Sequence, residues 1–153
     1  GLLVGLLAAV SIPLSMWLPA AAARARSQRP ILLAVLACYP VGYLGLILAP
    51  YSGAIAWALL VGIGACTFPL VLTLIGLRSS TPSGTAALSG FTQSVGYLLA
   101  AVGPFLVGAI YDATGAWTAP LWFLIALNVP LLIAGLYATA PRLIEDELAH
   151  RTR

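Results

Sequence analysis

The sequence predicts an all-α membrane protein with five membrane-crossing helices, and three observations carry that expectation. The chain is 61% hydrophobic and only 7% charged, whereas soluble domains run at about 25% charged. Its mean hydropathy is +1.05. A chain this poor in charge cannot keep a solvated surface, so most of its solvent must be lipid. The apolar residues fall in five stretches, about 1–22, 31–49, 53–77, 85–111 and 117–139, each near the roughly 20 residues that a spanning helix needs. The charges lie between or beyond those stretches. Strands of a membrane barrel would instead be about 10 residues long with strict alternation, which these runs lack.

The first run carries Gly1 and Gly5, continued by Ala8 and Ala9, a small-residue face suited to close helix packing. Pro13 stands near its middle, and it ends in the basic loop ARARSQRP. The second run holds Pro40, Gly42 and Gly45, with Tyr39 and Tyr43 four apart on one face. The short uncharged loop APYSG follows, and its turn formers force the second and third runs into an antiparallel hairpin. The third run contains Gly62, Gly64, Thr67, Pro69 and Thr73 and stops at Arg78. In the breaker cluster RSSTPSG, Ser83 or Thr85 is placed to cap the next helix.

The fourth run organises the rest. It is a long apolar stretch broken once, at Gly103–Pro104, and it ends at Tyr111–Asp112 with Gly115 just beyond. Ser89, Gln93, Gly96, Tyr97 and Ala100 recur at helical spacing and form a small-and-polar stripe. Trp117 and Trp122 open the fifth run, where indoles suit a membrane interface. The same run holds Asn128 and Pro130. The sequence therefore divides into a helical bundle over 1–140 and a tail over 141–153. The tail reads as a short solvated helix, with Pro141 in its first turn and Glu147 four residues before Arg151.

All seven basic residues are arginines, and with five crossings they fall on one side, in the loop at 24–29, at Arg78 and in the tail. The opposite side carries only Asp112. By the positive-inside rule the arginine side is cytoplasmic, which places the C-terminus inside a plasma membrane. These are loop charges, so the net charge of +3 gives no reason to expect a nucleic-acid partner. Cys38 and Cys66 lie deep in apolar runs and read as small buried residues. No metal-ligand spacing, nucleotide-binding loop or nucleophile–base pair occurs. We expect no cofactor, no metal and no enzyme. The chain begins inside an apolar run without a signal-peptide pattern, so a preceding part of the protein is expected.

Every run contains a proline: Pro13, Pro40, Pro69, Pro104 and Pro130. Each removes one backbone N–H and frees the carbonyl four residues back, which protein or water must satisfy within lipid. Interrupted helices of this kind serve alternating access. Gly103, Pro104 and Pro69 are the candidate gating residues. Gln93 and Tyr97 are the first candidates for substrate binding, through an amide, a hydroxyl and a flat apolar face. Thr67 and Thr73 come next, although a helical threonine hydroxyl often bonds its own backbone. Asn128 would line a cavity or join two helices. No Asp, Glu, Lys, Arg or His lies within any run, so this stretch carries no obvious proton-coupling group.

Residues 68–123 resemble the C-terminal half of major facilitator superfamily transporters, most closely the cyanate/nitroimidazole type. The matching pieces are Phe68–Pro69, the Thr-Leu-Ile-Gly-Leu-Arg exit at 73–78, Ala-Leu-Ser-Gly and Gln-Ser-Val-Gly-Tyr within 87–97, Gly103–Pro104 with Gly108, and Tyr-Asp-Ala-Thr-Gly at 111–115 with Trp117. The resemblance implies that the five helices are the eighth to twelfth of a twelve-helix fold, most of its C-terminal six-helix half. It also implies a missing N-terminal half, a lipid bilayer around both, and a small-molecule substrate such as a cyanate-like anion or a nitroimidazole-like compound. Many members carry an Asp before the basic residues of the eighth-to-ninth loop, whereas here 20–26 reads AAAARAR. The alternatives are proton-coupled drug efflux and a non-transporting membrane scaffold or assembly subunit.

Overall fold

The computed structural model describes residues 1–144. Six helices follow one another: α1 (Leu2–Arg24), α2 (Arg29–Leu48), α3 (Ala54–Ala65), α4 (Thr67–Leu77), α5 (Pro82–Thr114) and α6 (Thr118–Ala138). No strand occurs among the described residues. With α3 and α4 taken as one interrupted span, five segments are long and apolar enough to cross a membrane. The chain is a multi-pass, all-α membrane protein.

The third span departs from the uninterrupted helix expected over 53–77. Pro69 has no N–H to offer the Ala65 carbonyl, and its ring crowds the backbone one turn back. The chain tightens just before it, with the Cys66 N–H bonded to the Ile63 carbonyl at 3.0 Å. A new helix then starts at Thr67, with Pro69 in its first turn, where a missing N–H costs nothing. The Thr67 hydroxyl donates to the Gly64 carbonyl at 2.7 Å and takes up one acceptor at the break. Pro13, Pro40, Pro104 and Pro130 instead lie inside continuous helices, and α1 also contains Pro19.

Helix α5 starts earlier than the fourth run suggested. Thr81, not Ser83 or Thr85, is its N-cap: the Thr81 hydroxyl accepts from the Gly84 N–H at 3.1 Å, and Pro82 follows directly. Its other end is closed by Gly115 at φ +66°, whose N–H bonds the Tyr111 carbonyl at 2.8 Å. The left-handed turn is available to glycine without a steric penalty. Beyond it the rings of Tyr111 and Trp117 meet at 4.7 Å and set the angle into α6. At 33 residues α5 is roughly 50 Å long, more than the roughly 30 Å hydrocarbon layer, so it is tilted or projects at an end.

Packing is concentrated on one side of the bundle. Helix α2 lies along α3 and α6, and α1 lies against α3 and α4. Buried Leu18, Ala22, Leu32, Val35, Leu36, Cys66 and Leu70 form the core, near the end where α1 finishes and α2 begins. Glycines allow the close approaches. A Cβ on Gly64 would come within 2.9 Å of the Tyr39 ring, and one on Gly45 would lie inside the Trp57 indole. The Trp57 Nε1–H donates to the Ala49 carbonyl at 2.9 Å and satisfies an otherwise orphaned acceptor at the end of α2. Close backbone approach is the main source of helix association in lipid, where apolar burial gains little.

Helix α5 behaves differently. None of its residues is buried, and Phe105, Leu98 and Leu99 are 74%, 72% and 69% exposed. A Cβ on Gly90, Gly96, Gly103 or Gly108 would meet nothing within 4 Å. These four glycines therefore make no close approach among the described residues. The expected tail helix lies, over 145–153, outside the described residues.

Candidate functional site

The stripe on α5 is built by helical spacing alone. Ser89 and Gln93 sit one turn apart, and the Gln93 amide donates to the Ser89 hydroxyl at 2.8 Å. That contact fixes the amide and leaves its carbonyl oxygen as an acceptor. One turn further, Tyr97 is 60% exposed. The helix continues through Gly103–Pro104, where the proline leaves the Ala100 carbonyl without its usual donor. Uncharged hydrogen-bonding groups, an aromatic ring and a weakened backbone thus share one helix, none of whose residues is fully buried.

The two threonines are placed elsewhere. Thr67 is 7% exposed and its hydroxyl is committed to the helix break. The Thr73 hydroxyl donates to the Pro69 carbonyl at 3.0 Å, one turn back in α4. Both hydroxyls bond their own backbone. Asn128 does the same through the Leu124 carbonyl at 3.0 Å, while its Oδ1 is buried without a partner among the described residues. Ser89 and Gln93 are brought together; Thr67 and Thr73 make no described contact with them.

Two polar features were not singled out from the sequence. Ser11 in α1 donates to its own Leu7 carbonyl at 2.7 Å and to the Gly62 carbonyl of α3 at 3.0 Å, bridging two helices. Ser15, one turn on, bonds the Ser11 carbonyl. A serine pair spaced by four was the available signal. The second feature lies at the arginine end. Arg78 donates through Nε to the Ala138 carbonyl at 2.8 Å and through Nη2 to Gln28 Oε1 at 3.2 Å. Gln28 in turn donates to the Ala22 and Ala25 carbonyls, each at 3.3 Å. The ends of α1, α4 and α6 and the start of α2 are thereby tied together. Burial pushes the Arg78 guanidinium pKa down from its ordinary value.

A cavity of about 800 Å³ lies beside this clasp, lined by residues of α4, α5 and α6 together with Arg29, Arg78 and Arg142. Gln93, Tyr97, Thr67 and Thr73 do not line it. Among the described residues, no group of three or more His, Cys, Asp or Glu could hold a metal ion.

Comparison with known proteins gives relatives along nearly the whole chain. An uncharacterized transporter, YycB, of Bacillus subtilis is 42% identical over 146 residues, which is 94% of this chain and 36% of that protein. The 2-nitroimidazole transporter of Escherichia coli is 44% identical over 139 residues, 90% of this chain and 35% of that protein. The E. coli cyanate transport protein CynX is 31% identical over 96 residues, 62% of this chain and 25% of that protein. The chain thus spans about a third of the length of the first two relatives. Each of the three is named for transport and none for catalysis. No protein-family profile matches the chain, and no solved structure does. With its five apolar helices and this likeness, the chain matches a C-terminal part of a major facilitator superfamily transporter related to CynX and the 2-nitroimidazole transporter.

Proposed function

We propose that this chain is the C-terminal part of a plasma-membrane transporter that moves a small, weakly polar solute by alternating access. The observation that carries the reading is α5: a continuous helix with Pro104 inside it, on whose stripe Ser89 and Gln93 are half-buried and hydrogen-bonded and Tyr97 is exposed. An N-terminal half of the same transporter would cover that stripe and close the pathway around it. The relatives' greater length supports such a half. Gln93 and Tyr97 then bind the solute, Gly103 and Pro104 let α5 bend, and the break before Pro69 lets α4 move separately from α3. Thr67 and Thr73 act only through the α3–α4 backbone that their hydroxyls bond, apart from the α5 stripe. Discontinuous helices facing a midplane site are the usual machinery of such rocking.

The spans hold no charged side chain, so an amide, hydroxyls and an aromatic face favour a nitroimidazole-like compound over a cyanate-like anion. The arginine side faces the cytoplasm in this reading. The deciding experiment is counterflow of labelled 2-nitroimidazole and of cyanate into liposomes holding the full native transporter. Gln93→Ala and Tyr97→Phe should each slow nitroimidazole exchange about tenfold, the value of one lost hydrogen bond to a buried polar group. Unchanged exchange in both variants would remove the site, and no exchange of either solute by the wild type would remove the substrate assignment.

A further inference from the structure

One carbonyl released by the break between α3 and α4 is met from a different helix. The Cys66 N–H goes to the Ile63 carbonyl at 3.0 Å and not to Gly62, the partner one full turn back that an unbroken helix would use. The Gly62 carbonyl instead accepts from the Ser11 hydroxyl of α1 at 3.0 Å. The Cys66 thiol stands 3.7 Å from the same carbonyl and 3.8 Å from the Ser11 carbonyl, but a thiol is only a weak donor. Gly62 and Cys66 are buried and Ser11 is half-buried. Helices α1 and α3 approach closely here, since a Cβ on Gly62 would lie 3.1 Å from the Leu7 carbonyl oxygen.

The Ser11 hydroxyl carries one proton but faces two acceptors, the Leu7 carbonyl of its own helix at 2.7 Å and the Gly62 carbonyl at 3.0 Å. The two do not need it equally. Leu7 lies within the continuous helix α1, where the Ser11 backbone N–H is its regular donor. Gly62 stands at a break inside a membrane span, where no bulk water replaces a lost donor. From this asymmetry we propose that Ser11 is a positioning residue for the hinge between α3 and α4, acting as a one-proton latch. Shared with Gly62, the proton holds the break against α1. Turned wholly to Leu7, it releases α3 while α1 keeps all its own bonds. No covalent bond changes; the hydroxyl only rotates. The role in transport rests on the reading above, in which α4 moves separately from α3, and it names the residue that restrains that motion.

The test is alkylation of the full native protein in liposomes by membrane-permeant N-ethylmaleimide, followed site by site by peptide mass spectrometry. Cys66 lies in the junction and is 2% exposed, so its labelling rate reports how often the junction opens. Cys38 in α2, whose thiol bonds the Ala34 carbonyl one turn back, reports general loosening. Ser11→Ala should speed Cys66 labelling about fivefold, the effect of one lost hydrogen bond, and leave Cys38 at the wild-type rate. Ser11→Thr keeps the hydroxyl and should restore the wild-type Cys66 rate. Gly62→Ala drives a methyl group toward the Leu7 carbonyl and should also speed Cys66. Adding Ser11→Ala to it should then give less than a further fivefold, because both substitutions act on one contact. Cys66 labelling unchanged by Ser11→Ala would overturn the proposal. So would equal acceleration of Cys66 and Cys38, or a Ser11→Thr variant as fast as Ser11→Ala. The labelling uses no solute: its failure removes the latch and leaves the exchange result intact, whereas failed exchange removes the solute reading and leaves the labelling result intact.

Discussion

Arg78 reaches across to Gln28, fifty residues earlier, and the 3.2 Å contact between them joins the ends of the spans at the arginine side. Each residue also donates to carbonyls at helix ends: Arg78 to Ala138, and Gln28 to Ala22 and Ala25. Backbone returns the contact, because the Ile144 N–H donates to the Arg78 carbonyl at 3.0 Å. A double-mutant cycle with Gln28→Ala and Arg78→Ala should therefore give a coupling of about 1 kcal/mol in the detergent unfolding midpoint. Strict additivity would mean that the two side chains act independently.

The charge on Arg78 sets a pH expectation. Burial lowers its pKa, so the folded state disfavours the protonated form. For a base with a depressed folded pKa, that cost is constant below the folded value and is relieved only as pH rises past it. Guanidinium groups remain protonated throughout the physiological range. The stability difference between wild type and Arg78→Gln should thus be flat from about pH 5 to about pH 9. A slope in thermal unfolding across that window would show a second group titrating against Arg78.

The glycines separate into two classes with opposite expected outcomes. Gly45→Ala and Gly64→Ala drive a methyl group into Trp57 and Tyr39, and each should cost about 1–3 kcal/mol of stability. Gly96→Ala and Gly103→Ala meet nothing in this chain and should leave the packing of α1–α4 and α6 unchanged. If Gly103→Ala in the full transporter slows exchange while its unfolding temperature holds, the gating role of Gly103–Pro104 is supported. Normal exchange would remove it.

In α3, Trp57→Phe leaves a smaller aromatic ring beside Gly45 and Gly53 and loses the bond to the Ala49 carbonyl at the end of α2. The expected cost is about 1 kcal/mol. Trp57→Ala removes the ring as well, at about 3–5 kcal/mol. Thermal unfolding followed by fluorescence of the remaining tryptophans would measure the ratio. Equal losses would show that the hydrogen bond, not the ring, holds the hairpin.

Orientation is tested from both faces of the membrane. Ser52 lies in the exposed turn between α2 and α3, and Ser80 lies in the exposed turn between α4 and α5. With an odd number of crossings between them, they fall on opposite sides. Ser80→Cys should react with an impermeant maleimide only from the cytoplasm, and Ser52→Cys only from outside. The reverse pattern would invert the topology.

Much of this protein follows from order of residues alone. Lipid as solvent and five spans are properties of composition and segment length, and neither depends on which helix meets which. The stripe of Ser89, Gln93 and Tyr97 was readable for the same reason, since one helical period places it. The proline at 69 could be read as a weak point, but not the way in which the chain resolves it, with a new helix from Thr67 and the Thr67 hydroxyl spent on the break. Likewise, Gly45 and Gly103 look alike in sequence. Only packing makes the first a contact point for Trp57 and leaves the second facing open space. The partnership of Arg78 with Gln28 and Ala138 spans fifty and sixty residues. Such pairings are decided by how helices come together, and local periodicity carries no information about that.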